Sequence, residues 1–217
     1  MDLPKGFHRE VIESKESQPQ NISNINDIVS TEPLNPGGAS FRTNVLIQES
    51  SHKLVYKPYI GVALFCFIFL AIGIGVLFVG IYPFDGDSKN IKWLVVLVGL
   101  IFTTVGSLMF YNFYKPRVFD KRLGIYYSAY NFKSDKIEQH KTDNYISLKR
   151  IIAVQIIGEN IKGDDGHYKS FELNLVLDDK SRKNVIDHGN LKSIIDDAHV
   201  LSDFLDVPIW HAKSPNQ

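Results

Sequence analysis

The sequence predicts a membrane α+β protein: an antiparallel hairpin of two transmembrane helices attached to an antiparallel β-barrel or strongly bent sheet that ends in a C-terminal amphipathic helix. Three observations carry that prediction. Two apolar stretches, 58–84 and 93–114, contain no charged residue and are separated by a short polar connector. Segments outside them alternate apolar and polar residues, the period of two that a half-buried strand requires. Near the end, Leu191, Ile194, Ile195, Ala198, Leu201, Phe204 and Leu205 recur every three or four residues, which is one face of a helix.

The apolar stretches centre on 60–82 and 93–114, and a bilayer core takes about 20 such residues as helix. The connector between them, 83–90, carries turn formers with Asp85 and Asp87, so the two helices are antiparallel neighbours. Arg42, Lys53 and Lys57 precede the hairpin and Lys115, Arg117, Lys121 and Arg122 follow it, against Lys89 and Lys92 on the connector side. The positive-inside rule then places both termini in the cytoplasm. Tyr56, Tyr59, Tyr82, Trp93, Tyr111 and Tyr114 fall where interfacial aromatic belts lie. Neither span contains an ionisable residue, which argues against a proton relay, channel or transporter. Ala71 with Gly75, and Gly99 with Thr103 and Ser107, give each span a small-residue face; such faces pack on each other within a hairpin or dock a partner's helices.

A chain of 217 residues with 44% hydrophobic composition has room for one modest domain beside this anchor. Its 24 basic and 24 acidic residues balance, which removes the electrostatic case for a nucleic-acid partner. Cys66 is the single cysteine, so neither an intramolecular disulfide nor a zinc cluster is expected. Residues 1–40 are rich in Ser, Asn, Gln, Glu and Pro, lack the apolar core of a cleavable signal, and read as a disordered polar segment. Pro33, Pro36, Gly37 and Gly38 set its boundary near Ser40. The sequon at Asn21 is read as accidental, because a cytoplasmic terminus is not glycosylated.

Residues 41–57 read as a strand pair that becomes part of the soluble domain if it joins the same sheet, with the hairpin then inserted into one split domain. The main cytoplasmic domain is 115–210, followed by a tail at 211–217. Val118-Phe119, a turn ending in Gly124, and Ile125-Tyr126-Tyr127 form a β-hairpin. The β-branched run 151–157 and the alternation of Phe171, Leu173, Leu175 and Leu177 are strands, and 182–187 is a further one after the turn at 178–181. Asn190 or Ser193 caps the amphipathic helix and Pro208 ends it.

By analogy, strands closed by one C-terminal helix follow the pleckstrin-homology-like plan. Phe119-Asp120-Lys121 with Gly124-Ile125, the strand at 151–157, and the ending Ala198, Leu201, Phe204-Leu205, Val207-Pro208-Ile209 resemble the photosystem I assembly factor family and related bacterial membrane proteins with pleckstrin-homology-like domains. The likeness covers roughly 53–210. It implies that fold, a bacterial inner-membrane location and an assembly role, and it carries over no catalytic residue, since each matched residue is apolar, charged only in a turn, or a turn former.

Among polar clusters, Asp187-His188-Gly189-Asn190, with Arg182 and Asn184 nearby, is where an acid and a histidine adjoin. A hydrolytic triad would also need a nucleophile motif, and none is recognisable; the plainer reading is a turn and a helix cap. The seven histidines are scattered singly, so no metal is expected, and no Gly-rich phosphate loop or other cofactor motif occurs. Gly163-Asp164-Asp165-Gly166 lacks the alternating ligands of a calcium loop. Lys115, Arg117, Lys121 and Arg122 follow the second span directly and are positioned to hold anionic lipid head groups at about 1 kcal/mol each. The sequence therefore points to a non-enzymatic inner-membrane scaffold or assembly factor whose partners are membrane lipids and another membrane protein or a second copy of itself. The alternative is a lipid-responsive membrane module.

Overall fold

The computed structural model describes residues 29–82, 89–130, 145–163 and 166–213. The sequon, the polar stretch before Val29, the connector acids Asp85 and Asp87, Asp164-Asp165 and the last four residues lie outside them.

Two strands open the fold, β1 (Asn44–Ser50) and β2 (Lys53–Pro58), and two long helices follow, α1 (Ile60–Ile81) and α2 (Lys89–Phe113). The chain returns as β3 (Arg117–Asp120), β4 (Ile125–Tyr127), β5 (Tyr145–Ser147), β6 (Ile151–Gly163), β7 (Gly166–Leu177) and β8 (Arg182–His188). Helix α3 (Leu191–Leu205) and a last strand, β9 (Ile209–Lys213), complete it. Asn190 Oδ1 accepts from Ser193 N to cap α3, and Asp206 ends it in the left-handed conformation.

Strand β2 pairs antiparallel with β3, so the helical hairpin is inserted between two adjacent strands of one sheet. The strands before the hairpin therefore belong to the same domain as the residues after it. The first sheet runs β1-β2-β3-β4-β5 and the second β8-β7-β6-β9. A 3-10 turn at Leu148–Arg150 carries the chain from the first sheet to the second. Among the described residues the two sheets share no hydrogen-bonded strands, so the expected barrel is not closed; their inner faces share one core instead. Strand β9 pairs parallel with β6, so the chain beyond Pro208 is an ordered strand that crosses the expected boundary with the tail.

Leu54, Phe119, Tyr126 and Ile146 form one cross-strand row on the inner face of the first sheet. Val154, Ile156, Leu173, Leu175 and Ile186 face them from the second sheet, and Ile194, Ala198 and Leu201 of α3 seal the same core. This is the usual outcome when two half-apolar sheets and an amphipathic helix each have one face to bury. Asp120 Oδ1 accepts from Arg122 N and Leu123 N to build the β3–β4 turn, and Gly124 completes it at a φ of 69°.

The hairpin packs through glycines: a Cβ on Gly73 would lie 2.5 Å from Thr103 N, one on Gly99 2.7 Å from Leu77 N, and one on Gly106 3.0 Å from Leu70 Cα. Ala71 and Gly75 do not take part. Both point away from α2 and line an open groove with Phe67 and Phe78, and Ser107 is likewise exposed, so of the expected small-residue contacts only those of Gly99 and Thr103 are internal. The helical period explains the swap, since Gly73 and Gly80 rather than Ala71 and Gly75 fall on the α2 side. Elsewhere the helices are apolar and exposed: only 17% and 11% of their most apolar windows are buried.

Residues 29–40 were expected to be disordered, yet they lie as a strap across the outer face of the second sheet. Val29 packs with Ala153, Val176 and Trp210. Leu34 N and Asn35 N donate to Glu172, Gln155 Nε2 donates to Ser30 O, Arg182 to Glu32 O and Ser170 Oγ to Ala39 O. Gly189 lets the strap's end pass, because a Cβ there would stand 2.1 Å from Ser40 O. Low apolar content predicted disorder, but the strap is held by polar sheet residues rather than by a core of its own.

Candidate functional site

Strand β8 decides the fate of the expected polar cluster. Asp187 pairs with Glu172 on the outer face, whereas His188 pairs with Phe171 and turns into the core, fully buried. Neighbours in a strand point to opposite faces, so Asp187 and His188 cannot act as a dyad. His188 Nδ1 accepts from Asn190 N, and burial, with Arg42 nearby, pushes its pKa down to about 4.

Arg182, Asn184 and Asp187 do come together. A register shift opposite Leu173/Asn174 puts Asn184 and Asp187 on one face although they are three residues apart, with Val185 and Ile186 both sent to the core. Asn184 Nδ2 donates to Asp187 Oδ1 at 2.6 Å and to Asn174 Oδ1 at 3.1 Å. Asn174 Nδ2 in turn donates to Glu172 Oε2 at 2.9 Å, and Arg182 Nη1 donates to Gln155 Oε1 at 3.3 Å. Gln155, Glu172 and Asn174 are all but inaccessible beneath the strap. Burial raises the Asp187 carboxyl to about 6, countered by the Asn184 hydrogen bond. This network's chemistry is that of a saturated polar lattice that holds the strap.

The three network members the sequence did not flag, Gln155, Glu172 and Asn174, had a signal available. Glu172 and Asn174 alternate with leucines along β7, which reads equally well as a solvent face and as a polar face covered by another segment.

A second buried polar group sits where the helices leave the domain. Asn44 Nδ2, Tyr56 Oη, His188 Nε2 and Asp197 Oδ2 are buried without a hydrogen bond of normal geometry among the described residues. Tyr56 and Asp197 nevertheless face each other, and Arg42 acts on both Asp197 and His188. Burial raises the Asp197 carboxyl to about 6 from an ordinary 3.8, against the pull of Arg42 and Tyr56. A folded-state pKa above the unfolded one means that the folded state binds this proton more tightly. The contribution is therefore full below pH 3.8 and is lost as pH rises through about 6. Asp197→Asn, which keeps the shape and can donate to Tyr56 Oη, is expected to raise stability by about 1 to 3 kcal/mol at pH 7.5 and by little at pH 4. Thermal melts of both proteins at the two pH values check this; an equal effect at both would mean that the carboxyl does not titrate in this range.

The four expected lipid-contact residues separate. Lys115 and Arg117 lie beside the helices, and Arg117 Nη1 donates to Asn44 Oδ1 at 3.4 Å. Lys121 and Arg122 occupy the turn at the other end of β3, about 10 Å further on at 3.3 Å per residue. There Lys121 N donates to His52 O, and the Lys121 ammonium lies 4.5 Å from the centroid of the Phe204 ring. Closeness in sequence to the second helix did not translate into closeness in space, because β3 runs away from it. Arg42 and Lys57, on the segment before α1, are at the helical end in their place, with Lys57 Nζ paired to Glu49 at 3.0 Å. No protein-family model, curated protein or solved structure matches this chain.

Proposed function

We propose that this chain is a two-pass membrane protein acting as a non-enzymatic scaffold or assembly factor, with the hairpin crossing a bacterial inner membrane and the domain on the cytoplasmic side. The observation that carries the reading is the insertion of the hairpin between paired strands. Strand β2 ends at Pro58 and α1 begins at Ile60, while α2 ends at Phe113 and β3 begins at Arg117. A domain tied to a membrane by two such short junctions on adjacent strands has a set orientation, which suits holding partners in register more than reaching for them. Support for the membrane comes from the exposed apolar helix surfaces, which water would not tolerate at this extent. Soluble core helices are buried, and these are not. The cytoplasmic placement rests on the basic residues at the helical end.

A pleckstrin-homology-like ancestry is supported by antiparallel strands followed by a helix that seals the core, and it is qualified by the open arrangement of the sheets and by β9. The assembly role implied by the family resemblance, and a partner that is another membrane protein or a second copy, are part of the same proposal.

The split domain dictates the test. Deleting 115–210 would orphan β1 and β2, so the informative variant removes the hairpin instead. Tyr56 and Arg117 are direct cross-strand partners, and a short turn can join their strands. Replacing 59–115 with such a turn is expected to give a soluble, cooperatively folding domain that still captures the partner co-purifying with the tagged full chain in mild detergent. A variant that stays soluble but loses every partner would assign recognition to the hairpin; a full chain that brings down no protein at all would remove the scaffold reading.

A further inference from the structure

At the junction of hairpin and domain there is a pocket of about 400 Å³ whose exposed lining is almost wholly apolar. Its walls are Tyr59 just before α1, Val62 and Phe65 from the first turns of α1 and Met109 and Phe113 from the last turns of α2, with Phe41 and Arg42 on the domain side. We propose that this pocket binds one acyl chain of an anionic phospholipid, with Arg42 holding the charged head group. The proposal rests on the membrane reading above.

Charge complementarity names the occupant. Arg42 is the one charged side chain of the lining. It is half-buried, its Nε donates to Asn44 O at 3.2 Å, and its guanidinium stands 5.8 Å from the centroid of the Tyr59 ring. Among the described residues it forms no ion pair with a carboxylate. Asp197 lies close enough to feel its charge without reaching ion-pair distance, and the hydrogen bond to Asn44 O uses Nε rather than the two outer nitrogens. An apolar pocket beside the first turns of a membrane helix, with a cation in its lining on the domain side, matches an amphiphile whose chain points into the bilayer and whose phosphate stays at the surface. The volume lies within the range of about 300 to 1,000 Å³ typical of small-molecule sites. The pocket differs from the rim formed by Lys115 and Arg117: it selects by a chain and a charge together.

The test uses the full chain in phosphatidylcholine vesicles containing a trace of phosphatidylglycerol with a photoactivatable acyl chain, compared with the same chain on phosphatidylcholine. The phosphatidylglycerol probe is expected to label the peptides containing Phe65, Met109 and Phe113 in preference to the phosphatidylcholine probe. Arg42→Gln is expected to cut that preference about fivefold, one basic residue's worth of about 1 kcal/mol, and Arg42→Lys to keep most of it. Met109→Trp, which fills the pocket, should abolish labelling there and leave unchanged the labelling of the open groove at Phe67 and Phe78, where any surrounding lipid reaches. Equal labelling by both probes that is indifferent to Arg42→Gln would overturn the proposal, as would displacement by free palmitate. Release of the protein from vesicles by alkaline carbonate would overturn the membrane reading itself, an outcome distinct from loss of head-group preference in protein that stays inserted.

Discussion

Phe119→Ala is expected to destabilise the domain by about 3 to 5 kcal/mol, a large part of the roughly 5 to 15 kcal/mol that holds a domain of this size folded. Phe119 is fully buried, faces Leu54 and Tyr126 across β2 and β4, and its ring centroid is 4.7 Å from that of Tyr126. Removing it leaves a cavity in the core that the two sheets share, where neighbours fixed by strand pairing cannot collapse together. Because β2 and β3 also carry the hairpin, the loss loosens the base on which the helices stand. A fall in melting temperature of about 10 °C or more is expected for the hairpin-less domain, with a parallel fall in the full chain. A loss below about 1 kcal/mol would mean that the sheets do not share one core.

Glu172→Ala is expected to release the strap. Its carboxylate accepts from Leu34 N at 2.9 Å, Asn35 N at 2.6 Å and Asn174 Nδ2 at 2.9 Å while only 2% exposed. Alanine leaves three donors without their acceptor; the two strap N–H groups turn to water as the strap lifts, and Asn174 is hydrated only to the extent that the strap uncovers it. Hydrogen bonds to a charged acceptor contribute about 1.5 to 3 kcal/mol, and partial rehydration holds the net loss to about 2 to 3 kcal/mol. The distinguishing readout is limited proteolysis: cleavage within 29–40 should accelerate at least tenfold while the rest of the domain stays resistant. Glu172→Gln should lie between wild type and the alanine variant, since its amide oxygen can still accept from Leu34 N and Asn174 Nδ2 while its amide N–H is left pointing at the Asn35 N–H. Unchanged resistance in the alanine variant would place the strap's hold in Val29 and Arg182 instead.

The lipid-contact set illustrates where one-dimensional reasoning stops. Lys115, Arg117, Lys121 and Arg122 form one cluster in sequence, yet a strand separates residues by about 3.3 Å each, so four positions along β3 carry Lys121 and Arg122 away from the helical end where Lys115 and Arg117 lie. Arg42, which lines the junction pocket, is distant from that cluster in sequence and is brought there by the pairing of β1 with β2 and of β2 with β3. The polar cluster at 182–188 was partly legible: Arg182, Asn184 and Asp187 share a site, but only a bulge brings the last two to one face, and strand alternation removes His188 from it.

Properties set by local chemistry were readable from the sequence alone. The two long apolar helices, the β3–β4 turn at Gly124, the strands at β6, β7 and β8, and the capped amphipathic helix follow from hydropathy period, turn residues and capping residues within a few positions of one another. What tertiary structure decided were matters of which surface meets which. These are the union of β1 and β2 with the later strands, the docking of residues 29–40 on a polar sheet face, the outward turn of Ala71 and Gly75, and the parallel pairing of β9. Each depends on partners more than twenty residues away, and the pattern of a single segment records only that one of its faces will be covered, not by what.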